Sequence, residues 1–141
     1  MNGLKIGVFG IGIELSGLVP KELYKETQYL DPIEVGDRIS KQLRYDEQCD
    51  FVVCLSHLGY KYRTDKESEV VLAQNTEAID MILGGHPHTF MSEPDIQRNK
   101  LGEEVVINQA GWAGIMLGRL DVYFEKNKKV KCVSCKNTYV V

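Results

Sequence analysis

The sequence predicts a mixed α/β (α+β) domain, a parallel βαβαβ half followed by antiparallel strands. Three observations carry this. Two short, nearly continuous apolar runs, Asp50-Phe51-Val52-Val53-Cys54-Leu55-Ser56 and Ala78-Ile79-Asp80-Met81-Ile82-Leu83, have the character of strands buried on both faces of a parallel sheet. Each follows a stretch whose apolar residues recur at helical spacing. The C-terminal residues instead read as a hairpin, with strands at 118–124 and 130–139 and a turn at Glu125-Lys126-Asn127-Lys128-Lys129.

Leu4-Lys5-Ile6-Gly7-Val8-Phe9 reads as the first strand, which Gly10-Ile11-Gly12 ends. A dinucleotide fingerprint would need a third glycine where Leu15 stands and a helix behind it, so that motif is excluded. Residues 13–31 form an irregular connection. Asp31-Pro32 then presents an N-cap and a proline at the first helical position, with Ile33, Ile39 and Leu43 carrying a partial stripe to about Gln48. Beyond the first buried run, Lys61 to Lys66 is a polar connection, and Glu69, Val70, Leu72, Ala73 and Asn75 give a second helix. This order implies right-handed crossovers and a parallel core. After His88, Ser92-Glu93-Pro94 and Asn99-Lys100-Leu101-Gly102 are turn chemistry. Glu104-Val105-Val106-Ile107-Asn108-Gln109 is a strand, and Ala110-Gly111-Trp112-Ala113-Gly114 a glycine-flanked loop. The hairpin lysines suit solvation and edge protection.

Composition narrows the partners. At 141 residues the expectation is a single domain spanning 1–141, long enough to bury a core. A net charge of −3 gives no electrostatic case for nucleic acid or an anionic membrane. No apolar run has the length of a membrane span, and a strand starting near Leu4 predicts no signal peptide. Cys132 and Cys135 form a C-x-x-C inside a strand, where that spacing points the sulfurs to opposite faces. With Cys49 and Cys54 they read as buried or incidental thiols rather than a zinc or redox site.

The chemistry concentrates in Ile82-Leu83-Gly84-Gly85-His86-Pro87-His88-Thr89-Phe90. Pro87 restricts its own φ and biases His86 towards the β region, so an extended backbone is expected, with both imidazoles on one side. The glycines remove Cβ atoms where a ligand or another backbone comes close. The remaining histidine, His57, ends the other apolar run in Ser56-His57-Leu58-Gly59. Ligands of parallel sheets gather outside the carboxyl ends of the strands, so His57, His86 and His88 should share one rim. Histidine is the commonest side-chain metal ligand, and these residues are the candidate metal ligands. Asn108, Gln109, Gly111 and Trp112 are candidates for lining the same cleft; for Trp112, packing is the equal alternative.

Two of these stretches carry a resemblance. Ser56-His57-Leu58-Gly59 resembles the S-H-x-G motif, and Gly84-Gly85-His86-Pro87-His88-Thr89 resembles the G-G-H-x-H-[ST] motif, of calcineurin-like metallophosphoesterases in the 5'-nucleotidase and UDP-sugar hydrolase branch. The strand Leu4 to Gly10 and the run Ile107 to Gly118 also match that branch in order and spacing. The resemblance implies paired β-sheets covered by helices, and two divalent metals (Zn, Mn or Fe) at the strand ends. There the ions clamp a phosphoryl group of a nucleotide or nucleotide sugar and a metal-bound hydroxide attacks in line. It assigns His57 and His86 to one metal and His88 to the other.

The same resemblance sets a limit. Its earlier motifs, D-x-H, G-D-x-x-[DQ] and G-N-H-[DE], are expected before Lys5, and Gly36-Asp37 lies within a predicted helix instead. The bridging aspartate, the asparagine ligand and the assisting histidine are therefore not in this sequence. The expectation is the second half of a catalytic domain, inactive by itself, holding no ion or one weakly bound ion with Asp65 or water completing the shell. An apolar face left open by a missing half implies a homo-oligomer or a complementing N-terminal half. Members of the family are often periplasmic or exported.

Overall fold

The computed structural model describes residues 3–64, 66–125 and 130–140, the side chains of 130–132 excepted. Its centre is a five-stranded sheet in the order β1-β2-β3-β5-β4. The strands are β1 (Ile6–Ile11), β2 (Phe51–Ser56), β3 (Met81–Leu83), β4 (Asp95–Arg98) and β5 (Glu104–Asn108). β1, β2, β3 and β5 run parallel, and β4 is antiparallel to β5 at one edge. The parallel part is thus one strand longer than a βαβαβ unit. β1 continues through Ile11, pairing Gly10 with Leu55 and Ile11 with Ser56, so Gly10 does not break it and the strand ends just before Gly12.

A short helix α1 (Lys21–Tyr24) interrupts the first connection. Asp31 caps α2 (Pro32–Lys41) as expected, its carboxylate accepting from the Ile33 and Glu34 amides. A π-helical turn, Gln42–Asp46, extends α2. Ser68 caps α3 (Glu69–Gln74) through the Val71 amide. Gly36 lies inside α2 because α3 is close: a Cβ there would sit 2.7 Å from Leu72 Cδ1. Asp37 pairs with Lys41 and accepts from the Glu77 amide.

Alternation along the strands builds two cores. Cys54, Ile82, Val105 and Ile107 face α2 and α3, burying Leu72, Ala73 and Ile79 with them. Phe51, Met81 and Val106 face the hairpin of β6 (Met116–Phe124) and β7 (Val130–Tyr139), against Leu120, Val122 and Phe124. The hairpin stops short of β1, leaving Ile6, Val8 and Leu55 exposed on that face. No described helix is long and apolar enough to cross a membrane. The described thiols of Cys49, Cys54 and Cys135 are free, and burial pushes Cys54 up to about 12, an inert thiol.

β4 is the strand the sequence did not reveal. Its residues, Asp-Ile-Gln-Arg, hold one apolar side chain between two turn-rich stretches. It exists because β5 offers an edge, pairing Ile96 with Val106 and Gln97 with Val105.

Candidate functional site

The carboxyl ends of β2, β3 and β5 form one rim. His57 leaves β2 with its amide donating to Ile11 O of β1 at 2.9 Å. Gly84 leaves β3 with its amide donating to Asn108 O of β5 at 3.0 Å. The His57 and His86 rings meet there edge to face, with centroids 5.2 Å apart and planes at 72°. Gly85 permits the approach, since a Cβ on it would lie 3.2 Å from His57 Nδ1.

His88 behaves differently. The backbone of His86 has φ 78° and that of His88 φ 55°, so the expected extended geometry is not adopted. Tertiary hydrogen bonds override the local preference. The stretch is pinned at Gly84 N to Asn108 O and again at Gly111 N to Thr89 O (3.0 Å), which forces a turn in between. Spacing two apart therefore does not put both imidazoles on one side. His88 is exposed and stacks on Trp112, with centroids 5.8 Å apart and planes at 15°.

His86 is half-buried, and burial, followed by the charges of His57, Lys66 and His88, holds its imidazole below the usual histidine range. That favours the neutral ring, the form that ligates metal. Among the described residues, however, no group of three or more His, Cys, Asp or Glu is arranged to hold an ion. Two juxtaposed imidazoles supply fewer donors than the three protein ligands of a catalytic zinc site, so the side chains present do not by themselves fit a metal pair. Asp65, the candidate for completing a shell, lies outside the described residues.

Beneath the histidine turn is a buried polar network. Glu69, the first residue of α3, is fully buried. Its carboxylate accepts from Gly85 N at 3.2 Å and from Gln109 Nε2 at 2.8 Å. Burial raises its pKa, opposed by hydrogen bonds from Gln109, Gly85, Ser56 and Gly59. Gln109 Nε2 also donates to Gly85 O (3.0 Å), and its Oε1 accepts from Thr89 N (3.2 Å). Gln109 thus lies under the turn, gripping both of its ends, rather than facing solvent. Glu69 was not among the sequence-derived candidates. Its signal was present: it shares the i, i+3, i+4 face with Leu72 and Ala73, an acid on a buried stripe.

The remaining candidates border the turn. Asn108 is buried and exchanges amide hydrogen bonds with Asn137 of β7, which in turn donates to Met91 O. Gly111 has φ 68° and packs under the Phe90 ring, where a Cβ would fall 2.3 Å from Cε1. Trp112 is exposed, with His88 on one face.

Comparison with known proteins gives the fold its relatives. No protein-family profile matches the chain. The trifunctional nucleotide phosphoesterase protein YfkN of Bacillus subtilis (strain 168) is 28% identical over 131 residues, covering 93% of this chain and 8% of that protein. The chain's homologues are 5'-nucleotidases, apyrases and nucleotide phosphoesterases. Among solved structures, the 5'-nucleotidase precursor of Thermus thermophilus matches with a TM-score of 0.68 at 25% identity, over 78% of this chain and 23% of that one. The NAD nucleotidase of Haemophilus influenzae shares the fold across 99% of this chain and 29% of its own, with a TM-score of 0.78 at 20% identity. The mixed α/β sheet is therefore a 5'-nucleotidase-type fold, and this chain spans less than a third of each of these proteins.

Proposed function

We propose that this chain carries the histidine part of a two-metal phosphoesterase site acting on nucleotides or nucleotide sugars, and has little or no phosphatase activity alone. The observation supporting this is the edge-to-face pairing of His57 and His86 at the ends of two adjacent parallel strands. Its own residues would contribute the His57 and His86 imidazoles and the turn that presents them. The acidic and asparagine ligands would come from a segment carrying D-x-H and G-N-H-[DE], motifs the 141 residues do not contain.

The test is phosphate release from a nucleoside monophosphate with Mn²⁺, for the chain alone and with a complementing segment. Background rates alone and turnover on complementation are expected. Robust turnover by the chain alone, lost in His86→Ala, would overturn the half-site reading. A second reading, a scaffold without chemistry, is favoured by the lack of a three-donor group among the described residues. A neighbouring upstream reading frame encoding the two missing motifs would decide against it.

A further inference from the structure

We propose that Glu69 is a positioning residue for the histidine pair: its buried carboxylate, admitted by Gly84, fixes the turn that holds His86 against His57. The observations are geometric. A Cβ on Gly84 would lie 2.1 Å from Glu69 Oε2 and 2.3 Å from Oε1, so the first glycine of the pair makes room for a side chain of this protein. The carboxylate holds the amide of Gly85, which immediately precedes His86, and Gln109 holds Gly85 O and Thr89 N on either side of the two histidines.

The chemistry of the partners selects a carboxylate. Each carboxylate oxygen of Glu69 faces an N–H donor, Gly85 N at Oε1 and Gln109 Nε2 at Oε2, with further hydrogen bonds from Ser56 and Gly59. Glutamine at this position would direct an N–H at one of them. Rotating the Gln109 amide to compensate would leave Gly85 O without its donor and present an N–H to the Thr89 amide. A buried charge is costly unless hydrogen-bonded, and an apolar side chain beside Leu72 and Ala73 would fill the same stripe without that cost. The carboxylate is explained by the geometry it imposes on the turn.

This inference rests on the reading of His57 and His86 as the functional pair. Its test is the proton cross-peak between the two imidazoles in the folded chain, with imidazole chemical shifts as a second reading. Glu69→Gln should lose the cross-peak and shift the His86 ring resonances. Leu72→Val, a core substitution on the same helix, lowers stability but should leave both unchanged, separating positioning from general loosening. Should Glu69→Gln fail to fold, Gln109→Ala takes its place, with the same loss expected. Retention of the cross-peak and shifts in a folded Glu69→Gln or Gln109→Ala chain overturns the proposal. Phosphate release after complementation bears on the hydrolase reading alone, so the two can fail separately.

Discussion

The carboxylate of Glu69 occupies the space where a Cβ on Gly84 would sit, 2.1 Å from its Oε2. An exposed carboxylate would swing aside at little cost. This one is buried and tied to Gly85 and Gln109, so it has nowhere to go. Gly84→Ala should therefore destabilise the fold by about 1–3 kcal/mol, as overpacked cores do. Gly10→Ala is the matched control, because the nearest atom to its Cβ would be Leu55 O at 3.9 Å. Its effect should stay within about 0.5 kcal/mol. Urea midpoints of the two variants measure the contrast.

Metal binding should follow the pairing of rings and ignore their spacing in the chain. His57 and His86 face each other, whereas His88 is stacked on Trp112. Titration calorimetry with Zn²⁺ is expected to give at most one weak site per chain. His57→Ala or His86→Ala should abolish it, and His88→Ala should leave it largely intact. Loss of binding in His88→Ala alone would contradict this arrangement.

The sequence made the scaffold legible where local and tertiary preferences agree. The runs ending at Ser56 and Leu83 are apolar enough to predict strands between two layers, and both hold one. Of residues 78–83, however, only Met81–Leu83 is strand, and Ile79 is buried in the connection before it. Asp31-Pro32 carries its own capping chemistry. What was hidden depends on distant partners. β4 is held by β5 and has little apolar character of its own. The left-handed backbone at His86 and His88 is set by the Gly84 amide donating to Asn108 O and the Gly111 amide donating to Thr89 O, partners far along the chain. Glu69 lay between these cases: its place on the buried stripe was readable, but its partners were not.

Tyr60 links the segment after His57 to the sheet edge, its hydroxyl donating to Asp95 Oδ2 at 2.9 Å. Burial, then the hydrogen bond and charge of Asp95, push this phenol from 10.0 up to about 12. A folded-state value above the unfolded one means that the contribution to stability is complete below pH 10.0 and is lost as pH rises through about 12. The stability advantage of the parent chain over Tyr60→Phe should therefore be constant up to the ordinary tyrosine range and shrink above it. Urea midpoints across that alkaline window measure it. Burial also raises Tyr29 and Tyr62, so phenolate absorbance should show late-titrating tyrosines of which Tyr60→Phe removes one.

β1 is the other edge of the sheet, and its exposed face is apolar. Val8 is 56% exposed and Ile6 45%, beside Leu55 at 49% on β2. Among the described residues, one side of β1 pairs with β2 and the other pairs with no strand. Unprotected edges of this kind recruit a further strand, and an inward or edge lysine is the usual defence. The chain should therefore associate at micromolar concentration, through a second copy or through a complementing segment that adds to β1. Val8→Lys puts a charge in the middle of that edge without touching either core, since Val8 belongs to neither buried cluster. It should give a folded monomer by light scattering and weaken any complementation of activity in parallel. A parent chain already monomeric under those conditions would rule out self-association through β1, and complementation undiminished in Val8→Lys would place the partner elsewhere.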